Sequence, residues 1–532
     1  MNRALPLLML LVIGGALWLR CPELAERPLH NDEAVNAIKF RDLWEKGQYR
    51  YDPNEHHGPT LFYATLAWTR LTSAPTFAQM GEARFRMVTV IFGIGLLLLL
   101  PLVADGLGRG GTAMAAVLTA VSPALVFYSR YYIHEMLLAF FTLLALGAAW
   151  RYHVRPGLKW ALLAGAALGL MQATKETFVL TLAAFAGALV CNHLWLRWTR
   201  VPTPPWLHTD PASASHSERR RIAGIAVTDI VAGLGMSLVV AVLLFSSFFT
   251  NASGPLDSLR TYAPWVNRAA GASPHLHPWN YYFEHLLWFH PRKGPVFSEA
   301  LIALLALVGG LSGFRRVPLS GANPALLRVL ASYTLLLAGM YSGLAYKTPW
   351  CLLSFWHSAI LLAGVGAVTL WRSAKSIPAK AFLGLGIAAG VGHLAWQAGQ
   401  LNTNYATNRR NPYIYSQTSA SLLELVDQVK AVAQTTAAGD HLLLKVMAPE
   451  SDYWPLPWYL RQFDQVGYYG NLPADPYAPI MIVAAKLNAE LDEQKTHLMV
   501  GIFELRPQVF LQLYVAKDVW RDYLAKRPRP SE

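Results

Sequence analysis

The feature that most constrains this chain is a series of apolar runs, each roughly 16–22 residues long, recurring from Ala4 to about residue 400. A helix rises about 1.5 Å per residue, so a run of this length covers a hydrocarbon core about 30 Å thick. Hydrocarbon offers the backbone no hydrogen-bond partner, and a helix meets that demand within its own segment. The runs begin near Ala4, Arg86, Thr112, Glu135, Lys159, Thr177, Ile222, Ser298, Leu326, Trp350 and Ala381. The expected fold is therefore mostly α, a polytopic membrane bundle of about eleven helices. The first run, residues 4–19, lacks small residues ahead of a plausible cleavage point and reads as an uncleaved first span.

After Gln400 the runs stop, and charged and turn residues take over. This predicts a membrane domain over 1–400 and a soluble domain over 401–532. Alternation in the tail predicts strands at 442–447, 479–485, 498–504 and 509–516, with short helices at 454–461 and 487–493. That pattern describes a small α/β domain. Trp454, Trp458 and Tyr459, set among prolines, suit either stacking on sugar rings or packing against the membrane body. Residues 402–415, rich in Asn, Arg and Tyr, read as a linker.

Charge gives the orientation. Only 14% of the residues are charged against 54% hydrophobic, and the formal net charge is +13. Such an excess can signal nucleic acid, but here the basic residues fall in short loops between apolar runs. With a cytoplasmic N-terminus, the inward loops carry Arg109; Arg151, Arg155 and Lys159; Arg197, Arg200 and Arg219 to Arg221; Arg315, Arg316 and Arg328; and Arg372, Lys375 and Lys380. That is the positive-inside pattern of a plasma-membrane protein, and nucleic acid is not an expected partner. An odd number of crossings then places the tail outside. The Pro-, Ser- and Thr-rich stretch 201–217 reads as a flexible inner loop without chemistry. The three cysteines form no CxxC pair, which indicates neither a zinc site nor a disulfide framework.

The outer segments 21–84 and 251–297, with the tail, hold most of the Asp, Glu, His and Tyr. Asp32 and Glu33 open a helix-spaced stretch, with Asn31 or Asp32 placed to cap it; the acids serve either chemistry or the helix terminus. Next comes Tyr51-Asp52-Pro53-Asn54-Glu55-His56-His57-Gly58-Pro59. Glu55, His56 and His57 suit a divalent metal, which needs further ligands, or hydrogen bonding to a substrate. Tyr128-Ser129-Arg130-Tyr131-Tyr132-Ile133-His134-Glu135, Lys175-Glu176 and Lys347 place ionised groups at helix ends, where they are costly unless they face protein or a cavity. Arg130 can pair with Glu135. Alternatively Arg130, Lys175 and Lys347 converge on a lipid phosphate.

Several of these segments resemble the C-type (GT-C) membrane glycosyltransferases, the group of protein O-mannosyltransferases and the lipid A aminoarabinose transferase. The likeness rests on the acidic pair Asp32-Glu33, the segment 128–136 and the alternating helix plan. More narrowly, Asn31-Asp32-Glu33-Ala34, Tyr51-Asp52-Pro53, His57-Gly58-Pro59, Lys347-Thr348-Pro349-Trp350 and Trp454-Pro455-Leu456-Pro457-Trp458 resemble a family named for flippase-associated activity in archaeal N-glycosylation. The resemblance implies sugar transfer from a polyprenyl-phosphate-linked donor to a lipid, glycan or protein acceptor, without a nucleotide. It makes Asp32, with Glu33 beside it, the catalytic acid pair. Tyr51, His56, His57, Arg130, His134, Glu135, Lys175 and Lys347 are then the substrate-binding set. No resident metal is expected with certainty. The alternative is a non-catalytic accessory of lipid-linked glycan flipping.

Overall fold

The computed structural model describes residues 4–526 apart from 75, 200–220, 223–224, 271–274, 292 and 316–317. The stretch expected to be a flexible inner loop, 201–217, lies outside the described residues. The chain divides into two compact units. The first comprises Met1–Pro22, Gln48–Trp68 and Arg86–Tyr413; the second comprises Glu23–Gly47, Thr69–Phe85 and Ile414–Glu532.

The first unit is a bundle of apolar helices. Among the described residues, seven are long and apolar enough to cross a membrane: Glu82–Leu107, Glu135–Val154, Phe178–Trp198, Val227–Phe245, Pro324–Gly343, Pro349–Ser373 and Ile377–Asn402. Arg109–Val121 and Pro123–Ser129 form a further apolar pair bent by 58°. Leu7–Arg20, Leu158–Gln172 and Ala300–Ser312 are shorter apolar helices. Each expected start falls within a few residues of one of these, and the chain is a multi-pass membrane protein. The bend was not expected. Pro123 lacks the N–H that would continue the ladder, and its ring opposes a straight helix.

Burial separates the middle of the bundle from its rim. The most apolar window of Pro349–Ser373 is 89% buried, whereas those of Val227–Phe245 and Ile377–Asn402 are 6% buried and turn Leu234, Leu238, Phe382 and Leu385 outward. Without a hydrophobic force between helices in lipid, close backbone approach holds such a bundle, and small residues permit it. A Cβ on Gly366 would lie 1.9 Å from the Leu305 carbonyl oxygen, and one on Gly165 would lie 2.0 Å from that of Gly233. The helix pairs 300–312 with 353–373 and 158–172 with 227–245 therefore pack through glycine.

The second unit is α/β. Its strands are β1 (Leu444–Met447), β2 (Val466–Tyr469), β3 (Ile480–Ala484), β4 (His497–Arg506) and β5 (Val509–Ala516), in spatial order β2-β1-β3-β5-β4. β1 runs parallel to β2 and β3, with Val446 opposite Tyr468 and Ile482; β5 is antiparallel to β3 and β4. Every residue of β3 is buried, as a central strand covered on both faces should be. Ser421–Gln434 lays Leu422, Leu425, Val426, Val429 and Val432 inward at helical spacing.

The expected helix at 487–493 is absent. Only Ala485–Leu487 makes a 3₁₀ turn, and Asn488 and Glu490 then take positive φ, outside the helical region. Trp458 and Tyr459 pack rather than present a sugar platform. Phe77 and Phe85 meet the Trp458 ring edge-on, its Nε1 donates to Glu82 at 2.8 Å, and the Tyr459 hydroxyl accepts from the Leu29 backbone N–H at 2.8 Å.

Candidate functional site

The residues singled out above fall in both units. Asp32 and Glu33 lie in the second, on the helix Asn31–Lys46. Its cap is neither Asn31 nor Asp32 but His30, whose Nδ1 accepts from the Asp32 N–H at 3.1 Å. Glu33 closes the reciprocal half of this capping box: its carboxylate accepts from the His30 N–H at 3.0 Å and stands 3.7 Å from the Arg27 guanidinium. Glu33 is fully buried, and its Oε2 serves both the turn and the Arg27 ion pair. Asp32 differs. Its side chain is 44% exposed, and its carboxylate lies 3.9 Å from His30 Nδ1.

The other candidates belong to the membrane unit, and all but Arg130 and Lys347 gather where the strap 51–59 meets the ends of its helices. The junction begins with backbone. The Gly58 N–H donates to the Thr174 carbonyl and the Thr60 N–H to the Ala173 carbonyl, each at 3.1 Å, while the Thr60 and Thr174 hydroxyls bond at 2.8 Å. A Cβ on Gly58 would lie 2.1 Å from the Ala173 oxygen, so only glycine allows this docking. Gly58→Ala should cost about 1–3 kcal/mol through overpacking. A thermal melt in detergent checks it; an unchanged midpoint would mean the strap does not depend on this contact.

Docking the strap sets its neighbours. His57 Nδ1 meets the Glu176 carboxylate at 2.8 Å, and its ring lies nearly parallel to Trp265, with centroids 5.0 Å apart. Burial alone would raise the Glu176 carboxyl, but the facing His57 more than offsets it and keeps the acid below its usual range. Tyr51 is buried against Phe245. Burial first, and the Glu176 charge second, push the Tyr51 hydroxyl far above its ordinary value, so it stays a neutral donor.

His134 is fully buried, with its ring edge-on to His57 at 5.3 Å. Burial, then the neighbouring His57, hold it well below the usual imidazole range. The neutral ring donates from Nε2 to the Gly58 carbonyl at 3.0 Å. Its Nδ1 is buried without a hydrogen-bond partner among the described residues. His56 lies within electrostatic reach of the same ring.

Glu135 pairs with Lys175 rather than with Arg130, and both members are buried. Burial would depress the Lys175 ammonium, yet the Glu135 carboxylate outweighs that and raises it above its ordinary value. An ammonium has three donors, and Glu135 takes one. The pair lies within electrostatic reach of Cys351 and Tyr341, which brings in the end of the Pro349–Ser373 helix.

Arg130 and Lys347 point elsewhere. The Arg130 guanidinium donates to the carbonyls of Arg20 at 3.1 Å and Pro22 at 2.6 Å, where a cation answers the C-terminal dipole of the first helix. The Lys347 ammonium donates to the His277 carbonyl at 3.0 Å and to that of Leu344. The triplet Glu55-His56-His57 does not form a metal nest. Among the described residues no group of three His, Cys, Asp or Glu could hold an ion.

Two groups with evident work were not singled out from the sequence, and a third was given the wrong partner. Arg20 is fully buried and donates to Ser129 and to the carbonyls of Ala120 and Thr119, pinning the first helix to the bent pair. Glu299, also buried, accepts from the Ser122 hydroxyl, the Ala124 N–H, the Trp356 indole and the Tyr413 hydroxyl at 2.5–3.0 Å. Glu176 was seen as half of a Lys-Glu pair, whereas each member takes a distant partner. Their signal was a charge inside or beside an apolar run, which marks a partner without naming it.

Residues 61–216 match the family model described as dolichyl-phosphate-mannose-protein mannosyltransferase. Among solved structures, the chain superposes on ArnT from Cupriavidus metallidurans, solved with undecaprenyl phosphate bound, with a TM-score of 0.61 at 13% identity, covering 95% of this chain and 97% of that one. The fold is that of the GT-C membrane glycosyltransferases. The Archaeoglobus fulgidus oligosaccharyltransferase in its apo form shares it, with a TM-score of 0.53 at 14% identity over 88% of this chain and 64% of that one. No curated protein matches the chain. The family-model match contains Arg130, His134, Glu135, Lys175 and Glu176, and stops short of Asp32 and His57.

Proposed function

We propose that this protein is a membrane glycosyltransferase that moves a sugar from a polyprenyl-phosphate donor to a lipid, glycan or protein acceptor at the outer face of the plasma membrane. The observation that carries this reading is the cluster of ionisable groups Glu135, Lys175, Glu176, His134 and His57 at the helix ends, most of it within the stretch that matches the mannosyltransferase model. Buried charges at membrane depth are costly, and a polar substrate at a membrane-edge cavity is a reason to keep them. The bound undecaprenyl phosphate of ArnT favours the same donor class here.

In this reading the N-terminus is cytoplasmic, and the loops 21–84 and 251–297 and the domain 401–532 are extracytoplasmic. Asp32 takes the proton of the acceptor hydroxyl, and Glu33 holds the turn that presents it. Lys175 lowers the charge of the departing phosphate; His56, His134, Glu135 and Tyr51 line the substrate's path.

The test is direct. Purified protein in lipid nanodiscs, given radiolabelled polyprenyl-phosphate sugars, should release free polyprenyl phosphate and pass the label to an acceptor. Movement of the intact lipid-linked glycan across the bilayer without bond exchange would favour the flippase-accessory reading instead. Lys347→Ala should lower the yield of folded protein and leave donor KM and kcat within about twofold, because its ammonium donates to the His277 and Leu344 carbonyls. A severalfold rise in donor KM in folded protein would instead assign Lys347 to the phosphate.

A further inference from the structure

Glu176 and His57 are separated by 119 residues, yet they meet at 2.8 Å. The carboxylate is buried and the imidazole one-quarter exposed, the arrangement of an acid–base dyad with one nitrogen held and the other presented. Nδ1 faces Glu176, whose carboxylate keeps a proton on that nitrogen and leaves Nε2 as the one that gains and loses its own. Nε2 has no hydrogen-bond partner among the described residues. Three packed elements set the ring's plane: Trp265 stacks on it, His134 meets it edge-on, and the Gly58 strap holds its backbone. Such fixing has little use for a surface histidine and suits a ring that must aim a proton.

We infer that His57, oriented by Glu176, is the acid–base group that serves the phosphate of a lipid donor; this rests on the transferase reading. The bond between the sugar's anomeric carbon and the bridging phosphate oxygen breaks, and its electron pair stays on that oxygen. The imidazolium form of His57, with Nδ1–H held by the Glu176 carboxylate, gives its Nε2 proton to the same oxygen, while the acceptor oxygen bonds to the anomeric carbon and gives its proton to the base. Solvent returns a proton to Nε2. Glu176 is a positioning residue, acting on the reaction only through the imidazole. Around the dyad stand Lys175, whose charge is met by Glu135; His134, neutral; His56 on the same strap; and the Tyr51 and Tyr262 hydroxyls, which face Glu176.

The test is chemical rescue. His57→Gly should lower kcat about 100-fold, the scale of one lost acid–base group, with donor KM changed less than threefold. Added imidazole should restore a large part of that rate. Glu176→Gln should lower kcat less, and Glu176→Asp should recover it. In ³¹P spectra, decaprenyl phosphate should shift with the wild type and much less with His57→Gly. Inorganic phosphate giving the same shift would mark a general phosphate site; no shift would mark one that requires the lipid.

Full activity in His57→Gly, or a loss that imidazole cannot restore and that tracks a lower melting temperature, would overturn the dyad alone. A wild type that turns over no polyprenyl-phosphate sugar would overturn the transferase reading, and the dyad with it.

Discussion

Asp32→Asn is expected to reduce sugar transfer by about 10²–10⁴-fold while leaving the protein folded, the range for removing a positioned general base. The two adjacent acids share a helix start but not a task. Glu33 is buried and accepts from the His30 N–H within a capping box beside Arg27. Asp32 keeps nearly half of its side chain exposed, and its contribution to the helix runs through its backbone N–H, which Asn retains. Losing its charge at a helix N-terminus costs about 0.5 kcal/mol. Glu33→Ala should show the opposite profile: less folded protein, with transfer per folded molecule largely kept. Turnover of purified Asp32→Asn with a lipid-linked donor, normalised to monodisperse protein, decides the point. An unchanged rate would remove Asp32 from the chemistry.

The second large effect is on stability. Lys175 and Glu135 form a buried pair, each about 4% exposed. Removing one partner strands the other charge, which typically costs about 3–5 kcal/mol. Lys175→Met and Glu135→Leu should each lower the unfolding midpoint sharply. The double variant should regain most of the loss, because an apolar pair of similar volume replaces a buried ion pair at little cost. A double-mutant cycle in a detergent unfolding series measures the coupling. Additive losses would show that the two side chains do not depend on one another. The double variant also isolates function: stable protein with donor binding still impaired would assign Lys175 to the phosphate as well as to Glu135.

The membrane helices were legible because a bilayer imposes one length and one polarity on every span, and residues 82–107 or 349–373 need no tertiary information to satisfy it. The bend at Pro123 was written in the sequence as Ser-Pro but was masked by the apolar residues on both sides. In the tail, β3 and β5 were legible from their aliphatic runs. The helix Ser421–Gln434 also carried its signal, in the spacing of Leu422, Leu425, Val426 and Val429, but no element was assigned between the linker 402–415 and the strand expected at 442–447. The supposed helix at 487–493 failed where local composition met Asn488 and Glu490 at positive φ.

The site was legible as a list and not as a set of partners. Composition singled out His57, His134, Glu135 and Lys175, because polar groups beside apolar runs are conspicuous. It did not reveal that Lys175 turns to a residue 40 positions away while its neighbour Glu176 turns to one 119 away. Nor did it show that Glu299, an ordinary acid in the sequence, gathers four donors from three other segments. Pairings of that kind are decided by helix packing, and a charge in a sequence carries no record of which helix it will face.

The account turns on where a lipid phosphate binds. A cryo-EM map of the protein in nanodiscs with decaprenyl phosphate would show this directly. The phosphate is expected within hydrogen-bonding distance of His57 Nε2, beside the Lys175–Glu135 pair, with its chain running into the helices. A phosphate resolved at the opposite ends of those helices, or bound with His57 still turned away from it, would contradict the account.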